Sequence, residues 1–155
     1  MSDTPVNKVS ALEDHLGYWL RNVSNHVSGA FAQALQERQV SVAEWVALRH
    51  IYNRQTITPG ELADLIGMTR GAVSKVLAKL ASKGWITRTI DGEDNRVQWV
   101  TLTPAGQQML PQLAQLADQN DAYFFGCLSG AEQQTLRQLL EKLTQVHQWH
   151  NAPVE

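Results

Sequence analysis

The sequence predicts a mainly α-helical fold carrying one small β-hairpin, and three observations lead there. Apolar residues recur close to every 3.6 positions through most of the chain, the mark of amphipathic helices. Between Met68 and Ile90 lie five bases, Arg70, Lys75, Lys79, Lys83 and Arg88, and no acid, although the 155-residue chain has a formal net charge of −2. After Gly84 the period changes from 3.6 to 2 on both sides of an Asp-Gly pair, which predicts a hairpin. Capped short helix, turn, basic helix and charged hairpin is the layout of a winged helix-turn-helix. Further helices at both ends of the chain remain for dimerisation.

The elements follow in order. Val9, Leu12, Leu16, Trp19, Leu20, Val23, Val27, Phe31 and Leu35 make one long amphipathic helix from Val9 to Leu35. Ser41 with Glu44 is a capping box that opens a second helix near Val42, and Trp45, Leu48, Ile51 and Tyr52 continue its apolar stripe. Thr58-Pro59-Gly60-Glu61 is another capping box, with proline at the first helical position, where its missing N–H costs nothing. Gly67 supplies the left-handed residue that stops this short helix. Thr69 caps a third, whose core face is Val73, Val76, Leu77 and Leu80 and whose other side carries Arg70, Ser74, Lys75, Lys79 and Lys83. Residues 85–90 and 97–102, rich in β-branched and aromatic side chains, pair across a tip containing Asp91-Gly92-Glu93-Asp94-Asn95-Arg96. Thr103-Pro104 starts a helix running to about Phe125, and Ser129 with Glu132 caps a last one bearing Leu136, Leu139, Leu140, Leu143 and Val146.

Composition sets the class. At 43% hydrophobic and 18% charged, the chain can bury a core and reads as one domain over residues 1–155. Within it, residues of about 41–103 form the winged lobe, and those of about 8–36 and 104–149 form dimerisation helices. The N-terminus lacks the charged leader and apolar run of a signal peptide, and no stretch is long enough to cross a membrane. Cys127 stands alone, which fits a reducing cytoplasm and a buried structural thiol. The five tryptophans, Trp19, Trp45, Trp85, Trp99 and Trp149, are expected mostly in the core. The long stripes of the terminal helices exceed what the central lobe can cover, so a homodimer with interleaved ends is expected.

Asp94-Asn95-Arg96, five residues, then Leu102-Thr103-Pro104-Ala105-Gly106 resembles the wing signature of the MarR family of bacterial regulators, D-x-R-x5-L-T-x-x-G. The stretches from Leu62 to Gly67, Ser74 to Leu80 and Lys83 to Ile86 look like the paired helices of the same family, and the resemblance extends over about residues 8 to 149. It implies a dimeric DNA-binding regulator, usually a repressor, often released by small aromatic or anionic compounds.

Site residues follow from charge and position. Cations on the recognition helix displace counterions from phosphates and give affinity blind to sequence. Base reading falls to residues near the helix start, Thr69, Arg70 and Ser74, with Arg70 able to grip guanine bidentately. Lys75 and Lys79 hold phosphate, Arg88 extends the positive surface onto the hairpin, and Lys83 complements the helix dipole. Arg96 is the residue for minor-groove insertion. The resemblance implies an ion pair of Asp94 that orients the wing or Arg96. It also implies an effector crevice between the first two helices and the DNA-binding lobe, which His15, Trp19, Trp45 and Arg49 would line. There the indoles stack on a ring and Arg49 pairs with a carboxylate.

Competing readings are weaker. Ser74 and Lys75 are adjacent on a helix and diverge, and no zinc-protease, phosphate-loop, nucleophile-elbow or dinucleotide motif occurs, so no enzyme and no cofactor is expected. His147-x-x-His150 lacks the company a zinc site needs. A winged-helix module that binds protein instead of DNA is the alternative, and it has no need of an acid-free basic helix. The sequence therefore predicts a cytoplasmic bacterial regulator, nucleoid-associated when bound. Its partner is double-stranded DNA bearing a pseudo-palindromic operator, with half-site centres about 34 Å apart.

Overall fold

In the computed structural model, residues 9–91 and 97–148 are described. A 3₁₀ turn, Leu12–Asp14, precedes α1 (Leu16–Glu37), α2 (Val42–Arg54), α3 (Pro59–Ile66) and α4 (Arg70–Ser82). The hairpin strands β1 (Ile86–Ile90) and β2 (Gln98–Leu102) follow, then α5 (Pro104–Phe125) and α6 (Gly130–Val146). The fold is the mainly helical, winged arrangement that the sequence predicts.

Side-chain caps fix the helix starts. Ser41, Thr58, Thr69, Thr103 and Ser129 each accept a backbone N–H of the first turn, satisfying a donor that has no partner within the helix. Glu44, Glu61 and Glu132 return the bond at three of these boxes. Gly67 turns the chain from α3 to α4 at φ 76°, a left-handed conformation costly for any residue with a Cβ.

Leu35, Leu48, Ile51, Leu62, Ile66, Val73, Leu77, Leu80, Val100 and Leu113 form one closed core that holds α2, α3, α4, the hairpin and the first half of α5 together. β1 and β2 pair antiparallel, with Arg88 opposite Val100 and Thr89 opposite Trp99. Ile57, between α2 and α3, adds a single bridge to Val100 on the free edge of β2. α1 lies along α5, tied by the Asn120 amide, which donates to the Val27 carbonyl at 3.0 Å.

Four expectations are corrected. The helix over 9–35 is broken at His15, because Asp14 turns back to accept the Ala11 N–H and closes a local turn, leaving His15 extended. Trp19 is half exposed, and its indole N–H donates to the Glu13 carbonyl at 2.9 Å. Trp45 and Trp85 are half-buried against the core and Trp99 is half-buried without joining that packing, which leaves their wide rings partly wet, and Trp149 lies outside the described residues. Cys127 is exposed in the short α5–α6 connection, since that connection lies beyond the core.

Candidate nucleic-acid interface

α4 owes its position to its apolar side. Val73, Leu77 and Leu80 are fully buried, and their spacing leaves Arg70, Ser74, Lys75, Ala78 and Lys79 on an exposed face. Thr69, also exposed, uses its hydroxyl to cap the Ala72 N–H at 3.1 Å, so its side chain faces the helix start. Arg70 leans back over α3, and its guanidinium lies 3.4 Å from the point where a Cβ on Gly60 would stand. The first turns of α3 and α4 therefore share one surface. Arg88 is exposed midway along β1, on the strand that carries this surface toward the wing. Asp94 and Arg96 lie outside the described residues.

The fifth base of the run is used differently. Lys83 faces the protein: its ammonium bonds Glu44 Oε2 and the Gln39 carbonyl, both at 2.5 Å, and lies 5.0 Å from the centroid of the Trp85 ring. To its expected place at the end of the α4 dipole it adds a structural ion pair, because the end of α4 packs beside the start of α2. Glu44, only 3% exposed, serves twice, with Oε1 accepting the Ser41 N–H at 3.2 Å while Oε2 holds Lys83.

The joint between hairpin and α5 is as tightly specified. Thr103 donates its backbone N–H to the Trp85 carbonyl at 2.9 Å and its hydroxyl to the Gly84 carbonyl at 2.6 Å. A Cβ on Gly106 would stand 2.1 Å from the Trp85 oxygen. The Leu-Thr-x-x-Gly spacing thus has a steric cause: helix and strand meet where no side chain fits.

This geometry agrees with the comparisons. The MarR family model matches residues 40–98, from the start of α2 into β2. An HTH-type transcriptional regulator of Bacillus cereus is 30% identical over 144 residues, covering 88% of this chain and 93% of that protein. The chain belongs to the MarR family. A variant of Escherichia coli MarR solved in complex with operator DNA superposes with TM-score 0.72 at 29% identity, covering 83% of this chain and 92% of that one. Bordetella bronchiseptica BpsR, whose DNA binding is regulated by 6-hydroxynicotinic acid, shares the fold at 21% identity and TM-score 0.75, over 87% of this chain and 98% of its own. This MarR-family chain is accordingly a DNA-binding transcriptional regulator.

The expected effector residues each have a neighbour of their own. His15 meets Ser10 at 3.3 Å, Trp45 packs edge-on against Phe31 with centroids 6.0 Å apart, and Arg49 lies 5.6 Å over the Tyr52 ring. Three cavities of about 550, 600 and 500 Å³ lie between α5 and α6, among α2, β2 and α5, and at the α1–α2 turn. None of these three is lined by His15, Trp19, Trp45 or Arg49. Sequence reasoning also missed Glu44 as more than a cap, since nothing in the periodicity of α2 marks its partner on α4. Among the described residues no three metal-ligating side chains gather, and no helix is long and apolar enough to cross a membrane.

Proposed function

We infer that this MarR-family regulator works as a homodimeric repressor on a pseudo-palindromic operator. The observation that carries the reading is the acid-free, exposed face of α4 beside a core-anchored opposite face. Thr69, Arg70 and Ser74 meet base edges, while Lys75, Lys79 and Arg88 neutralise phosphates. Arg96 enters the minor groove, and Asp94 orients it or the wing around it. Repression is the sign that is usual in the family to which the chain belongs. The regulation of BpsR by an aromatic acid favours an effector of the same chemistry here. His15, Trp19, Trp45 and Arg49 would line its crevice, between the first two helices and the DNA-binding lobe.

Duplexes enriched from a random library by the wild-type protein provide the test. Lys79→Ala should weaken binding to enriched and random duplexes alike and reduce the slope of log K against log salt by about 0.9. Arg70→Ala should cost about 1–3 kcal/mol on the enriched duplex and relax choice at one base position. Equal losses on both kinds of DNA for both variants would remove Arg70 from base reading. An absence of any enrichment by the wild type would remove the operator reading itself.

A further inference from the structure

We propose that Glu44 and Lys83 form a positioning pair that sets where α4 stands relative to α1, and through α1 sets the half-site spacing the dimer accepts. The inference rests on the dimeric DNA-binding reading above.

Three elements converge on one ammonium. The Gln39 carbonyl belongs to the turn that ends α1, Glu44 sits in the first turn of α2, and Lys83 is the C-cap of α4. Gln39 itself is held at φ 59°, an unusual conformation for a residue with a Cβ. That backbone turns its carbonyl onto Lys83 Nζ at 2.5 Å. Lys83 is also boxed by the Trp85 ring at 5.0 Å, and its side chain is 25% exposed against 4% for that of Glu44. A single surface ion pair contributes little, but here the carboxylate is out of water and is also bonded to the Ser41 N–H. Removing the ammonium leaves a buried charge without its partner, so the end of α4 must move or water must enter. Either response changes the angle between the DNA-reading helix and the helix whose apolar side faces away from the core. DNA contacts on α4 are untouched by the change, because Lys83 points into the protein.

The pair therefore acts on geometry and not on charge at the DNA. The test uses full-length protein, duplexes enriched by the wild type, and copies with the half-sites moved one base pair closer or further apart. Lys83→Met and Glu44→Gln remove the ion pair from either side, the glutamine retaining an acceptor for the Ser41 N–H. Each should lower affinity for the enriched duplex by about tenfold. The penalty for altered spacing should shrink, with the salt slope and binding to random DNA unchanged. Exchanging the charges in Glu44→Lys/Lys83→Glu should restore part of the spacing preference, and Lys83→Arg most of it. A salt slope reduced by about 0.9 in Lys83→Met would show that Lys83 contacts phosphate and would overturn the proposal. Unchanged affinity and spacing preference in both single variants would overturn it too. So would a uniform loss on all duplexes that tracks a lowered Tm, since that is what a merely structural pair gives. If Lys83→Met fails to fold, Glu44→Gln and Lys83→Arg carry the same readouts. Failure of the wild type to enrich any duplex would instead count against the DNA-binding reading beneath it.

Discussion

His50 stands half-buried on α2, and its pKa is held below the usual 6.5 first by burial, then by the charges of Arg54 and Arg49. The folded protein therefore binds a proton here less readily than the unfolded chain does. Stability tied to His50 is fully present above the unfolded value of about 6.5 and is lost as pH falls from there toward the lower folded value. Urea melts at a series of pH values should fall more steeply for the wild type than for His50→Gln between about pH 7 and pH 5. Parallel curves would assign the pH dependence to other groups. At this scale the local roles were legible: Thr69 as a cap and Val73, Leu77 and Leu80 as core follow from neighbours within four positions. The Glu44–Lys83 pair was not, because its members are 39 positions apart and each already had a sufficient local explanation, a capping box for one and a helix end for the other.

Among the elements, the joint between β1 and α5 tolerates least. Gly106→Ala would place a methyl 2.1 Å from the Trp85 oxygen, and a backbone carbonyl cannot swing aside as a side chain can. The start of α5 must then back away from the strand, breaking the Thr103 bonds that fix the hairpin to it. A loss of about 1–3 kcal/mol is expected from urea melts. Gly71→Ala, in α4 with no heavy atom beyond its own stretch of helix within 4 Å of the new Cβ, should instead stabilise by up to about 1 kcal/mol. Equal effects of the two changes would mean that helix propensity, not the approach to Trp85, decides the first. Element identity was readable because five caps and two changes of period punctuate the chain. The break at His15 was not, since Leu12, Leu16 and Trp19 keep a helical spacing across it. Nor was the bridge at Ile57, where a single residue between two helices carries no period at all.

For the molecule as a whole, apolar surface is distributed unevenly. Val9 and Leu16 are 90% and 87% exposed, and on α6 Leu139, Leu140, Leu143 and Val146 form a row of the same kind. Exposed apolar rows of this kind are where the proposed homodimer contact is expected. Sedimentation at micromolar concentration should give about twice the 17.3 kDa chain mass, with Leu139→Glu/Leu143→Glu returning the single-chain value. A stable wild-type monomer would refute the dimer. That α6 has an outward apolar side was legible from its leucine spacing, whereas what covers it is not written in the pattern of a single chain.

No residue of the 17-residue α6 is buried. Without a covering surface, α6 has beside its own backbone bonds little more than the Gln133 amide donating to the Phe125 and Leu128 carbonyls, and is marginal in water. Its amides should then trade hydrogen for deuterium with free energies of opening near zero in the isolated chain, while those of α2 and α4 wait for global unfolding. Covering α6 lengthens that wait. Labelling at a series of dilutions consequently yields the association constant from the amides of this one helix, with the core amides serving as an internal clock.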